Sequence, residues 1–247
     1  MLLAAAGVAV VGGLAFACGD GERDVDWAGG DSVMAAAMEA VSRPGEVFHA
    51  REVWSQGDGD GRAETIEAWL DPANHRFRRE RRIERAGKTT DLWVVVGGDW
   101  ATTSYSSTSN SVSSHDVTPQ ERAEAAEAGI ENPAMLALDY FSMHMLSDEE
   151  DVSSAGTVDG DPVVSIEGKW FQEPGGDWPE GVNHVWTTEF RKSTLLPLQT
   201  QLKDVEPDGR EQAYGPFVFD VAEFVPPEGL PAGFFSPERL GEFITPE

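Results

Sequence analysis

The sequence predicts an α+β fold: a long antiparallel meander interrupted by helices. Three observations carry it. Turn signals recur about every ten residues through 47–105 and again after residue 154. The segments between them alternate apolar and polar side chains, as half-buried strands do. Two stretches between residues 118 and 146 drop that alternation for helical patterns.

Each element follows in order. Ser32 is placed to cap a short helix over 33–41, which Arg43-Pro44-Gly45 ends. Strands are predicted over 47–55 and 64–70, joined by the turn Gly57-Asp58-Gly59-Asp60-Gly61. Asp71-Pro72-Ala73-Asn74 turns the chain into a basic strand, 76–85, and Ala86-Gly87 turns it into 90–96. Gly97-Gly98-Asp99 then leads into 100–105. The Ser/Thr-rich piece 102–114 reads either as an exposed hairpin or as a partly disordered segment. A helix over 119–128 has Thr118 as its cap and Gly129 as its stop. The stretch 133–146 is apolar almost all round and predicts a buried helix. After an acidic turn at 148–151, strands resume over 154–158, 163–171, 182–190, 198–205 and 211–224. The Pro-rich tail from Val225 reads as extended.

The N-terminus carries a localisation signal. Residues 2–17 contain only Ala, Gly, Val, Leu and Phe, and the single cysteine, Cys18, follows them directly. The composition then turns to Gly and Asp. This pattern predicts a secretory leader over 1–17 and a lipidated Cys18. A flexible tether over 18–31 and one domain over 32–247 complete the organisation. The run is short for a spanning helix, which needs roughly 20 apolar residues. The alternatives are an uncleaved short anchor and a cut before a free Cys18. A lipid-anchored protein outside the cytoplasm, bound to the bacterial membrane or envelope, is the expected location.

The net charge is -26, from 44 acidic and 18 basic residues. Such a chain repels nucleic acid, so DNA or RNA partners are excluded as a class. The basic residues cluster: Arg76, Arg78, Arg79, Arg81, Arg82, Arg85 and Lys88 share one short stretch. That stretch is either a patch for lipid headgroups or an acidic partner, or a strand whose arginines pair with glutamates beside it.

Catalytic patterns are missing from the sequence. No two of His49, His75, His115, His144 and His184 have metal-ligand spacing. Asp58-Gly59-Asp60-Gly61 lacks the glycine and final glutamate of an EF-hand at the required spacing. No P-loop, dinucleotide fingerprint or nucleophile elbow is present, so neither an enzyme nor a cofactor is expected.

Alternation places Phe48, Ala50 and Trp54 on one face of the first strand and Ile66, Ala68 and Leu70 on one face of the second. In the fourth strand it groups Leu92, Val94 and Val96. The apolar helix adds Met135, Leu138, Phe141 and Met145, with methionines suited to a surface that repacks. These are the candidate walls of an apolar cleft between sheet and helix, or of a filled core.

Three stretches resemble the LolA-like superfamily of extracytoplasmic lipid-handling proteins. The first is Glu67-Ala68-Trp69-Leu70-Asp71-Pro72 followed by Arg76-Phe77-Arg78-Arg79-Glu80. The second is Val96-Gly97-Gly98-Asp99-Trp100 ahead of Tyr105. The third is Val185-Trp186-Thr187-Thr188-Glu189 with the turn Ser193-Thr194-Leu195-Leu196-Pro197-Leu198-Gln199. The resemblance covers most of 33–225 and implies a curved antiparallel half-barrel with helices packed on its concave face. It also implies non-covalent binding of a lipid, acyl chain or other apolar ligand. The RseB-like regulators of the same group imply the rival role, an envelope sensor acting through a protein partner. A structural lipoprotein with a filled core is the third reading.

Overall fold

The computed structural model describes residues 25–55, 62–127, 129–147, 149–171 and 182–244. The leader, Cys18 and the 57–61 turn lie outside the described residues. Among the described residues, no helix is long and apolar enough to cross a membrane.

Among the described residues, eleven strands form one open antiparallel sheet. They are β1 (Val47–Ser55), β2 (Arg62–Asp71), β3 (Arg76–Arg85), β4 (Lys88–Gly98), β5 (Ala101–Ser106), β6 (Ser111–Asp116), β7 (Glu149–Val158), β8 (Asp161–Phe171), β9 (Asn183–Arg191), β10 (Pro197–Val205) and β11 (Glu211–Val225). The order is β6-β5-β4-β3-β2-β1-β11-β10-β9-β8-β7. Two meanders therefore lie side by side, joined where β11 returns to pair with β1. The helices are α1 (Gly30–Ala40), α2 (Pro119–Glu127) and α3 (Asp139–Leu146).

The sheet must curve. The 3₁₀ turn Pro133–Ala137 packs on β2, β3 and β4, while α3, just after it, packs on β8 and β9. In a flat sheet, β4 and β8 would be about 33 Å apart at the usual strand spacing. The turn and α3 together reach only about 20 Å. The two meanders thus fold toward one another around this segment. Two contacts fix it: Arg79 Nη2 on β3 donates to Asp139 Oδ2 at 2.7 Å, and the Trp186 indole on β9 donates to Ser147 Oγ at 2.7 Å.

One apolar core fills the space between sheet and helices. It takes Val33, Met34 and Ala37 from α1, Phe48, Leu70 and Phe77 from the first meander, and Ile166, Trp186 and Phe190 from the second. Leu138, Tyr140 and Phe141 plug it from above.

Several sequence expectations are corrected. The apolar stretch 133–146 is not one helix, because Leu138 is extended (φ -102, ψ 121) between the 3₁₀ turn and α3. Asn132 caps the first piece through Ala134 N, and the Asp139–Arg79 pair anchors the start of the second. Helix α1 begins at Gly30, inside the expected tether, and Val25 and Trp27 already pack on the core. Ser32 does not cap it; its Oγ accepts from Asp26 N. Residues 149–151 belong to β7, not to a turn. The Ser/Thr-rich piece is an ordered hairpin whose side chains pair across the strands, Thr103 with Ser114 and Ser104 with Ser113. Thr118 does cap α2, with Glu121 returning the bond to Thr118 N as in a capping box.

The glycines near residue 97 serve packing, not the turn. Strand β4 runs through Gly98, and the hairpin turns at Asp99 and Trp100, both left-handed (φ 50 and 64). Gly97 faces the core, where a Cβ would sit 2.3 Å from the Phe77 ring.

The tail is not extended. It forms 3₁₀ turns at Pro227–Gly229 and Pro237–Phe243 and covers the outer face of the first meander. Phe234 meets Trp69 edge-on at 5.1 Å, and Leu240 and Phe243 cover Val94, Val96 and Tyr105. Strand β4 is therefore buried on both faces, which explains its run Val94-Val95-Val96.

Candidate functional site

The concave face is read most easily as rows crossing the ladders. The deepest row is Phe48, Leu70, Phe77 and Gly97, under the helices. The next is Ala50, Ala68, Arg79 and Val95, where Arg79 takes its Asp139 partner. Then come Glu52, Ile66, Arg81 and Trp93, with Phe219 opposite Glu52 on β11. The last is Trp54, Glu64 and Ile83, with Phe217 at 6.0 Å from the Trp54 ring. The face thus grades from packed aromatics, through a polar belt, to a strip of partly exposed apolar side chains.

The expected cleft residues divide accordingly. Phe48, Leu70, Met135, Leu138 and Phe141 are at most 3% exposed, so other side chains already occupy the surface they were expected to offer. Leu92 and Val94 face outward beneath Leu240 and Phe243, a correction to their expected place on the concave wall. Register decides it: Arg79 pairs with Val95 and Arg81 with Trp93, so odd-numbered residues of β4 face inward. Trp54 does lie on the open strip and is half-buried, whereas Ile66, on the row before it, is buried at 6% exposure. Met145 lies elsewhere, at a cavity beside α1 and β7.

The open strip adds residues that the sequence reading passed over: Ile83, Trp93, Leu202 and Phe217. Trp93 is 36% exposed. Ile83, Leu202 and Phe217 are half-buried. The detectable signal was the break in β3, where the inward series Phe77, Arg79, Arg81 ends on Ile83.

The arginines do not form one patch, which corrects the expected headgroup or partner surface. Arg79 and Arg81 face inward, Arg79 to Asp139 and Arg81 to Glu64 Oε1 at 2.6 Å. Arg76, Arg78 and Arg82 face outward. Arg76 bonds Asp71 at 2.8 Å, and Arg78 and Arg82 share Glu80. Arg78 is buried beneath Phe234, to whose carbonyl it also donates.

The polar belt has an unusual charge state. Burial pushes the Glu52 carboxyl well above the ordinary carboxylate range, and Asp139 and Glu64 push the same way against Arg79. The Tyr140 hydroxyl is buried and has no hydrogen-bond partner among the described residues. Burial first, then Glu52, raises its pKa too. A carboxyl with a raised pKa and a buried phenol therefore face the boundary between packed core and open strip.

No family model matches the sequence, and no curated protein does. Among solved structures, the chain is similar to an uncharacterized conserved protein from Thermus thermophilus. The identity is 10% and the TM-score 0.42, covering 78% of this chain and 85% of that one. It is also similar to a putative outer membrane lipoprotein-sorting protein domain from Vibrio parahaemolyticus (8%, TM-score 0.38, 86% and 98%). A third is Mycobacterium tuberculosis lipoprotein LppX (11%, TM-score 0.33, 77% and 96%). Likenesses this low say nothing about what the present chain binds.

Proposed function

We propose that this is an extracytoplasmic lipoprotein that holds an apolar ligand, a lipid or acyl chain, non-covalently against the open end of its concave sheet. The observation that carries the reading is the strip Trp54, Ile83, Trp93 and Phe217. Large apolar side chains there line the inner side of a curved sheet, with no helix over them among the described residues. A ligand lying along the strip would bury that surface, and the Arg81–Glu64 pair and the Glu52 carboxyl would meet its polar end. The apolar leader and Cys18 support a membrane anchor, which would keep the protein where such ligands are exchanged. The mechanism is exchange rather than catalysis. The sensor alternative relied on a basic docking strand, and the pairing of its arginines removes that support.

Trp93→Ser is the test. Removing roughly 80 Å² of ligand-covered indole costs about 2 kcal/mol of binding, near 30-fold in Kd. Because Trp93 is only 36% exposed, its covered part also supports the fold; a stability loss of about 1–3 kcal/mol is expected, and uptake is compared where both proteins remain folded. Titration with a fluorescent fatty acid reads both proteins. Equal uptake by wild type and variant would remove the strip as the binding surface.

A further inference from the structure

We infer a divalent transition-metal site of the zinc class at the junction of α1, α3 and β7, independent of the apolar strip. Donor atoms of Asp31, His144 and Glu150 all lie within 4.8 Å of one another. They come from three separate elements: the first turn of α1, the last turn of α3 and the start of β7. His144 is buried, and its Nδ1 lies 2.6 Å from Glu150 Oε1. That contact satisfies only one carboxylate oxygen. Glu150 Oε2 is buried with no hydrogen-bond partner among the described residues, in a side chain only 8% exposed. A buried carboxylate oxygen without a partner is costly, and a cation is the natural one.

The surroundings fit a cation and not an anion. The three residues border a cavity of about 460 Å³, also lined by Glu124, Glu127 and Glu149, with no lysine or arginine among its lining residues. Gly30 is part of the design: a Cβ there would sit 2.4 Å from Glu150 Oε2. One imidazole with two carboxylates suits zinc or its neighbours better than calcium, whose ligands are all oxygen. Four-coordinate zinc holds its donors about 3.3 Å apart. Rotation of the exposed Asp31 side chain would close the set, and water or Glu149 would complete it. The bound ion would tie α1 and α3 to the edge strand β7.

The test is calorimetric titration of Zn²⁺ into the purified full chain after removal of metal by a chelator. The expected result is one saturable site per chain and a rise in thermal midpoint with Zn²⁺. Asp31→Asn, exposed and safe for folding, should weaken that site at least tenfold, as should His144→Gln, and both should abolish the midpoint rise. Binding that never saturates, or that both variants keep at wild-type strength, would overturn the site in favour of diffuse attraction to an acidic surface. Tighter binding of Ca²⁺ than Zn²⁺, indifferent to His144→Gln, would also overturn it. Fatty-acid uptake is read separately and does not bear on this result.

Discussion

Gly168→Ala is a one-carbon change that tests how the two meanders close around α3. Gly168 lies on β8 directly beneath the Trp186 indole. A Cβ there would sit 2.3 Å from Trp186 Nε1, 2.4 Å from Cε2 and 2.6 Å from Ser147 Oγ. Those atoms form the joint, because the indole donates to Ser147 Oγ and that hydroxyl donates to Met143 O at 2.9 Å. A fully buried ring against backbone cannot yield without moving. Overpacking of this kind costs about 1–3 kcal/mol. If the indole loses its acceptor while still buried, about 1 kcal/mol more is lost. The expected total is about 2–4 kcal/mol, a large share of the usual 5–15 kcal/mol of a domain. With a urea m-value near 2 kcal/mol/M, the midpoint should fall by about 1–2 M. Tryptophan emission should shift red as the indole moves. Trp186→Phe in the Gly168→Ala background should recover part of the loss, since it removes the clashing atoms. An unchanged midpoint would refute the packing of α3 against β8 and β9, and with it the argument for curvature.

Other perturbations follow from the same geometry. Glu52→Gln should stabilise the protein at neutral pH and leave it unchanged near pH 4. A carboxyl whose folded pKa is raised loses stability as pH climbs above its unfolded value, and the amide cannot ionise. Thermal melts of both proteins across pH 4–8 check this, and equal curves would mean Glu52 is ionised without penalty. Arg78→Met should cost about 1–3 kcal/mol, because it takes the buried partner from Glu80 Oε1 beneath the tail while Arg82 still holds Oε2. Loss of less than about 1 kcal/mol in urea would show that the tail does not seal that face.

Much of the architecture was legible because strand patterns are local. Turn residues such as Asp71-Pro72 and Ala86-Gly87 and the alternation in 47–55 place the first meander almost residue by residue. The pairing of β11 with β1 was not, since no local pattern records which distant strand lies alongside. The outward turn of Leu92 and Val94 was missed for a related reason. Alternation shows a buried face only when the other face is wet, and the tail buries both faces of β4. The break at Leu138 was hidden because the residues just before it are all apolar and Asp139, just after it, gives no local sign of its partner: Arg79 is 60 residues away in sequence. The candidate site suffered most. Composition marked the residues that fill the core, such as Phe141, whereas a binding surface is what packing leaves uncovered. Trp93 is exposed and Phe217 half-buried because, among the described residues, no helix extends over them.

The measurement that bears most directly on ligand binding is native mass spectrometry of the full chain purified from a bacterial host, set beside its denatured mass. The account predicts additional mass that leaves on denaturation and extracts as lipid, alongside any covalent acyl mass on Cys18, which would persist. A bare native mass, with no uptake of added fatty acid or phospholipid, would contradict it and leave a protein with a filled core.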